Sequence, residues 1–134
     1  MTATASVSSS GNQDIDGVLS GVKWGVSSLT FSFPTSSSYY EYSPPSGFEA
    51  MNSIQRAIVR EIMETYGSVI NVSFTEVTET NSTHGVLRFS EGNGIGTAYA
   101  YYPSTGSWGG DSWYNHTSYN SPLMGTYANH TFMH

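Results

Sequence analysis

The sequence predicts an α+β domain, and three observations carry the prediction. Ser28-Leu29-Thr30-Phe31-Ser32-Phe33 alternates polar and apolar residues up to Pro34, as a half-buried strand does before a stop. A long stretch with apolar residues at helical spacing follows, and after it come several short extended runs bounded by Asn, Gly and Ser. Strand, long helix, several strands and a closing helix, without an internal repeat, is an α+β order.

Residues 1–13 are rich in Ser, Thr and Ala and offer little to bury, so a flexible leader or propeptide-like segment is expected there. The folded unit is expected over 14–134, starting where Ile15 brings back apolar residues. A Ser/Tyr/Pro loop leads from the strand at 28–33 to Pro45. The long helix is expected to open at Ser46-Gly47-Phe48-Glu49, a Ser followed three residues on by Glu as in a capping box. Met51, Ile54, Ile58 and Ile62 would form its buried stripe, and Gly67 its stop. Strands are expected at 72–77, 85–89, 97–102 and 111–114, and a second helix from Gly125 or Thr126. The glycines at 92, 94 and 96 lack the Lys-Ser/Thr of a phosphate loop and any following helix, so GNGIG reads as a turn.

Composition limits the function. A chain of 134 residues is about one domain in size. With 4 Lys plus Arg against 10 Asp plus Glu, its net charge of -6 argues against nucleic acid and against anionic membranes. No stretch approaches the roughly 18 apolar residues that span a bilayer. The first residues have neither a basic start nor an apolar run, so an ordinary N-terminal signal peptide is not expected. Zero cysteines exclude thiolate ligands and leave His, Asp and Glu as candidates for metal.

The four histidines therefore need separate weighing. His84 follows Asn-Ser-Thr at a turn and His116 sits in a polar NHTSYN stretch, so both read as solvated. His130 and His134 stand four apart and can share a helix face, the spacing of helical zinc sites. Yet the residue after His130 is Thr131, which cannot act as the general base of a His-Glu-x-x-His site. Two imidazoles alone hold zinc weakly, so this pair does not by itself make an enzyme.

Several blocks in order, DIDGVLSGVKWGVSSLTFSFP, GTAYAYYPSTG, GGDSWYN and ANHTFMH, resemble the front half of serralysin-type metalloproteases, family M10 of the metzincin clan. The resemblance covers residues 14–134. It implies a metzincin-like upper catalytic subdomain: a twisted mixed β-sheet, a long backing helix and the start of the zinc-binding active-site helix. The last block is similar to the run that opens the family's His-Glu-x-x-His-x-x-Gly-x-x-His motif, which makes His134 the first zinc ligand and His130 a bystander one turn earlier. Ala98, Tyr99, Ala100 and Tyr101 are similar to the family's edge strand, which binds extended substrate by strand pairing. Trp108 and Trp113 would line the cleft or pack on the core.

By the same resemblance the chain would be part of a secreted, monomeric zinc endopeptidase acting on extracellular proteins. The general-base Glu, the other His ligands, the Met-containing turn and the calcium-binding glycine-rich repeats would lie beyond residue 134, as would the export signal. The 134 residues alone are then expected to be inactive. An alternative is a noncatalytic module binding peptide by strand addition, or saccharide through its Tyr and Trp.

Overall fold

The central strands of this chain must bury both faces, and that requirement orders the sheet. The computed structural model describes residues 2–134. The elements in chain order are β1 (Thr4–Ser6), α1 (Gln13–Asp16), β2 (Val22–Trp24), β3 (Ser28–Ser32), β4 (Glu49–Ala50), α2 (Ser53–Val69) and β5 (Ser73–Glu76). They continue with β6 (Leu87–Gly92), β7 (Ala98–Ala100), β8 (Ser112–Asn115), α3 (His116–Tyr119) and α4 (Tyr127–Met133). The class is α+β with a mixed sheet.

The main sheet runs β5-β3-β6-β8-β7, with β4 pairing β6 off this path. The β3–β5, β3–β6 and β6–β8 pairs are parallel, whereas β7 and β4 run antiparallel to their partners. A separate two-stranded ribbon joins β1 to β2, so Thr4–Ser6 is paired within the Ser/Thr/Ala-rich start. Nothing in that composition signals the pairing.

Side chains alternate along β8, and the two sides of the sheet fill differently as a result. Trp113 is wholly buried, with Tyr40 at 4.9 Å and Phe48 at 6.3 Å between ring centroids. Tyr114 belongs to the main apolar cluster with Phe31, Phe33, Met51, Val59, Ile62, Phe89, Tyr119 and Phe132. At β3 the strand is covered on both faces: Ser32 is fully buried and donates to the buried Glu79 carboxylate at 2.6 Å. The polar positions of the 28–33 alternation thus do not all face water.

The long helix begins later than the sequence suggests. Gly47 has φ of 66°, left-handed backbone that does not start an α-helix, and Glu49–Ala50 pairs with β6 instead. Asn52 is the N-cap, accepting from Ile54 N and Gln55 N, while the Gln55 side chain accepts from Asn52 N at 2.8 Å. That is the same reciprocal capping logic, displaced toward the C-terminus. The buried residues of α2 are Gln55, Val59 and Ile62, whereas Ile54 is exposed and Ile58 only partly covered. The helix also continues past Gly67 to Val69.

The buried charges of Arg88 and Asp111 are paired. Arg88 donates to Asp111 from Nε at 2.7 Å and from Nη2 at 2.8 Å, and its guanidinium lies 4.4 Å from the centre of the Tyr40 ring. Tyr42 donates to the same carboxylate at 2.7 Å and accepts from Trp113 Nε1 at 3.1 Å. Burial pushes the Asp111 carboxyl above its ordinary range, while Arg88 and Tyr42 pull it back. On the surface, Arg60 and Glu76 form a second bidentate pair that is 48% and 37% exposed.

These two pairs should behave oppositely. Arg88→Met leaves Asp111 buried and unpaired and is expected to lower unfolding stability by about 3–5 kcal/mol. Glu76→Gln, which breaks the solvated pair, should change it by less than about 1 kcal/mol. Urea unfolding of the two variants measures both effects.

Candidate functional site

The site grows from the free edge of the sheet. Among the described residues, strand β7 has β8 on one side and no strand on the other. Its register pairs Ala98 with Tyr114, Tyr99 with Trp113 and Ala100 with Ser112. The flanking bonds, Asn115 N to Thr97 O at 2.8 Å and Tyr101 N to Asp111 O at 2.9 Å, put the odd-numbered residues in hydrogen-bonded positions against β8. The N–H and C=O groups of Ala98 and Ala100 therefore point away from the sheet, where an added strand would meet them.

The side chains divide by the same alternation. Ala98 packs against the main core, while Tyr99 and Tyr101 stand on the other face with ring centroids 5.5 Å apart in a T-shaped pair. Desolvation, reinforced by Tyr101, pushes the Tyr99 phenol up to about 12, so it stays a neutral hydrogen-bonding group across physiological pH.

Helix α4 reaches this edge from below. Thr126 caps it by accepting from Asn129 N at 3.2 Å, and Phe132 stacks on Tyr114 with centroids 4.0 Å apart and planes 2° from parallel. At its far end Tyr66 of α2 donates to Met133 O at 2.6 Å. Asn129 and Phe132 are the buried residues, which turns His130 and His134 outward to exposed positions.

A groove of about 890 Å³ results, and it joins the two elements. One wall is Ala98 through Pro103, and the other carries Tyr127, His130, Thr131 and His134, with Trp24 and Tyr66 also lining it. All four edge-strand candidates and both terminal histidines thus share one cavity. Trp113 is buried, and neither it nor Trp108 lines the groove; Trp24 takes that place. Trp24, Tyr66 and Tyr127 carried no local motif, so only the tertiary arrangement identifies them as lining residues.

The donor set at the groove is incomplete for a bound zinc ion. Among the described residues, His130 and His134 join no group of three clustered His, Asp or Glu ligand atoms. The groove supplies imidazole of the right chemistry but not the three protein ligands that catalytic zinc uses.

The other two histidines are not simply solvated. His84 Nδ1 lies 2.8 Å from Glu79 Oε2, and the same carboxylate accepts from Gly85 N at 2.8 Å. His116 follows Asn115, whose side chain caps α3 by accepting from Thr117 N and Ser118 N at 3.0 Å each. It meets Glu49 and Glu91, and burial pushes the Glu91 carboxyl above its ordinary range against the pull of Gln55 and His116. Short polar context in the sequence could not reveal these partners, which for His116 lie on other strands.

No protein-family profile matches the chain. Individual relatives do. Metallopeptidase AprA of Pseudomonas marginalis is 32% identical over 114 residues, covering 79% of this chain and 24% of the relative. Serralysin A of Dickeya chrysanthemi is 36% identical over 96 residues, 66% of this chain and 20% of the relative. Metalloprotease AprA of Pseudomonas entomophila is 33% identical over 120 residues, 84% of this chain and 24% of the relative. The chain thus spans about a quarter or less of the length of these relatives. Agreement with several metalloproteases, over most of its own length, shows that the chain belongs to the serralysin-type metalloprotease family.

Proposed function

We propose that the chain is the N-terminal part of the catalytic domain of a secreted zinc metalloendopeptidase, with the groove between β7 and α4 as its substrate cleft. The observation that carries this reading is the joint lining of one groove by an unpaired strand edge and by the histidine-bearing helix. In this reading β3, β5, β6, β7 and β8 with α2 are the metzincin-like upper subdomain, and α4 is the start of the active-site helix.

The chain's own contribution is to bind and orient peptide. An extended substrate laid along β7 would exchange hydrogen bonds with the outward N–H and C=O of Ala98 and Ala100, which fixes its register and direction. Tyr99 and Tyr101 would face alternate substrate side chains. His134 would offer one neutral imidazole to zinc, with the remaining ligands and the general base supplied by sequence outside these residues. When bound, the metal would supply an activated water and polarise the scissile carbonyl. The relatives' names support protein or peptide as substrate. No helix among the described residues is long and apolar enough to cross a membrane, which is compatible with secretion.

Two outcomes follow. A polypeptide of residues 1–134 with added zinc should leave casein and extended peptides intact. The same residues continued through the rest of a His-Glu-x-x-His-x-x-Gly-x-x-His domain should cleave them and lose activity to a chelator. In that longer protein, Ala100→Pro removes the outward N–H and should raise KM for an extended peptide about two- to tenfold, the worth of one hydrogen bond. Ala100→Val retains the N–H and should leave KM near its original value. Steady-state kinetics with both variants decides whether the edge is used; equal KM for all three would contradict it.

A further inference from the structure

Away from the groove, Glu49, Glu91 and His116 each present one ligand atom, and these atoms all lie within 4.8 Å of one another. None of the three lines the groove. The backbone brings them together: Glu49 and Glu91 are directly opposite on the antiparallel β4–β6 pair, and Gly92 is in register with Asn115, which precedes His116. Two carboxylates directly across a strand pair repel, so a fold that places them there calls for a cation between them.

Burial sharpens that demand. The Glu91 side chain is only 2% exposed; its Oε1 accepts from Gln55 Nε2 at 2.6 Å, while its Oε2 faces His116 Nδ1 at 3.6 Å. His116 Nδ1 lies 2.8 Å from Glu49 Oε2, yet this nitrogen is shielded from solvent and has no hydrogen-bond partner. Glu49 Oε2 is close enough but sits beside the direction an Nδ1–H would take, and Glu91 Oε2 is too far for a hydrogen bond. Three ligand atoms gathered within 4.8 Å, one of them a shielded nitrogen without a partner, are what a shared ion would satisfy.

We propose that Glu49, Glu91 and His116 bind a divalent transition-metal ion of the zinc class, which clips β4 and α3 to β6. One imidazole and two carboxylates suit a borderline ion, and the three protein ligands leave room for water. The ligands are themselves held in place: Gln55 holds the far oxygen of Glu91, and Asn115 fixes the turn that carries His116. Glu49 and His116 side chains are 45% and 37% exposed, which gives the ion a path in from solvent. The site would be structural, fastening the segment before α2 to the sheet independently of any reaction in the groove.

The test is zinc titration of the 134-residue chain by calorimetry, repeated with cobalt to read the ligand-field absorption of the bound ion. His130→Ala/His134→Ala removes the groove histidines and should retain one saturable equivalent. Adding His116→Ala to that variant should weaken the affinity by more than about a hundredfold, since even losses in the surrounding shell reach that range. Glu49→Gln, at an exposed position, should weaken it at least about tenfold and decides the matter if His116→Ala loses its near-ultraviolet circular dichroism. Absence of saturable binding in His130→Ala/His134→Ala, or unchanged affinity after Glu49→Gln, would overturn the proposal. Either result leaves the proteolytic reading untouched, because the groove residues are separate.

Discussion

The Tyr114 and Phe132 rings lie face to face, 4.0 Å apart, and the position of the histidine-bearing helix relative to the sheet depends on that stack. Helix α4 covers only Tyr127–Met133, and a helix of so few residues has little stability of its own. It is held by what its buried face touches, Phe132 on Tyr114, and by the Tyr66 hydroxyl on Met133 O. Because Tyr114 is also the register partner of Ala98, the same residue couples α4 to the edge strand. Groove geometry is therefore set by packing within the core and not by contacts across the groove.

Strand β6 organises the rest. It pairs with β3, β4 and β8, and it carries three buried polar residues in Arg88, Ser90 and Glu91. Each reaches a different distant partner: Arg88 the Asp111 carboxylate, Ser90 the Tyr40 hydroxyl at 2.7 Å, Glu91 the Gln55 amide. Such pairs contribute modestly to net stability but penalise any register that separates them. A one-residue slip would leave a buried guanidinium or carboxylate without its partner.

The same interactions explain which parts were legible in the sequence. Helix α4, expected from Gly125 or Thr126, strand β5 within 72–77 and strand β7 within 97–102 follow from local pattern, and all are present. Ser46 and Glu49 have capping-box spacing, yet α2 starts later because Gly47 adopts a left-handed conformation that the pattern cannot register. Its buried stripe differs from the apolar one because Gln55, a polar residue, takes a core position through hydrogen bonds to Glu91 and Tyr119 O. Ala98–Tyr101 and His134 stand out by resemblance alone, and their common groove exists only in three dimensions. His116 looked solvated because its partners lie on β4 and β6, far away in sequence.

The central claim is that the free side of β7, together with α4, is where peptide binds. Backbone amide chemical shifts of the isotopically labelled chain, followed as an extended peptide is added, test it most directly. The account predicts shifts concentrated at Ala98, Ala100 and the exposed face of α4 around His130 and His134. Shifts concentrated instead at the opposite sheet edge, Ser73–Glu76 of β5, would contradict it.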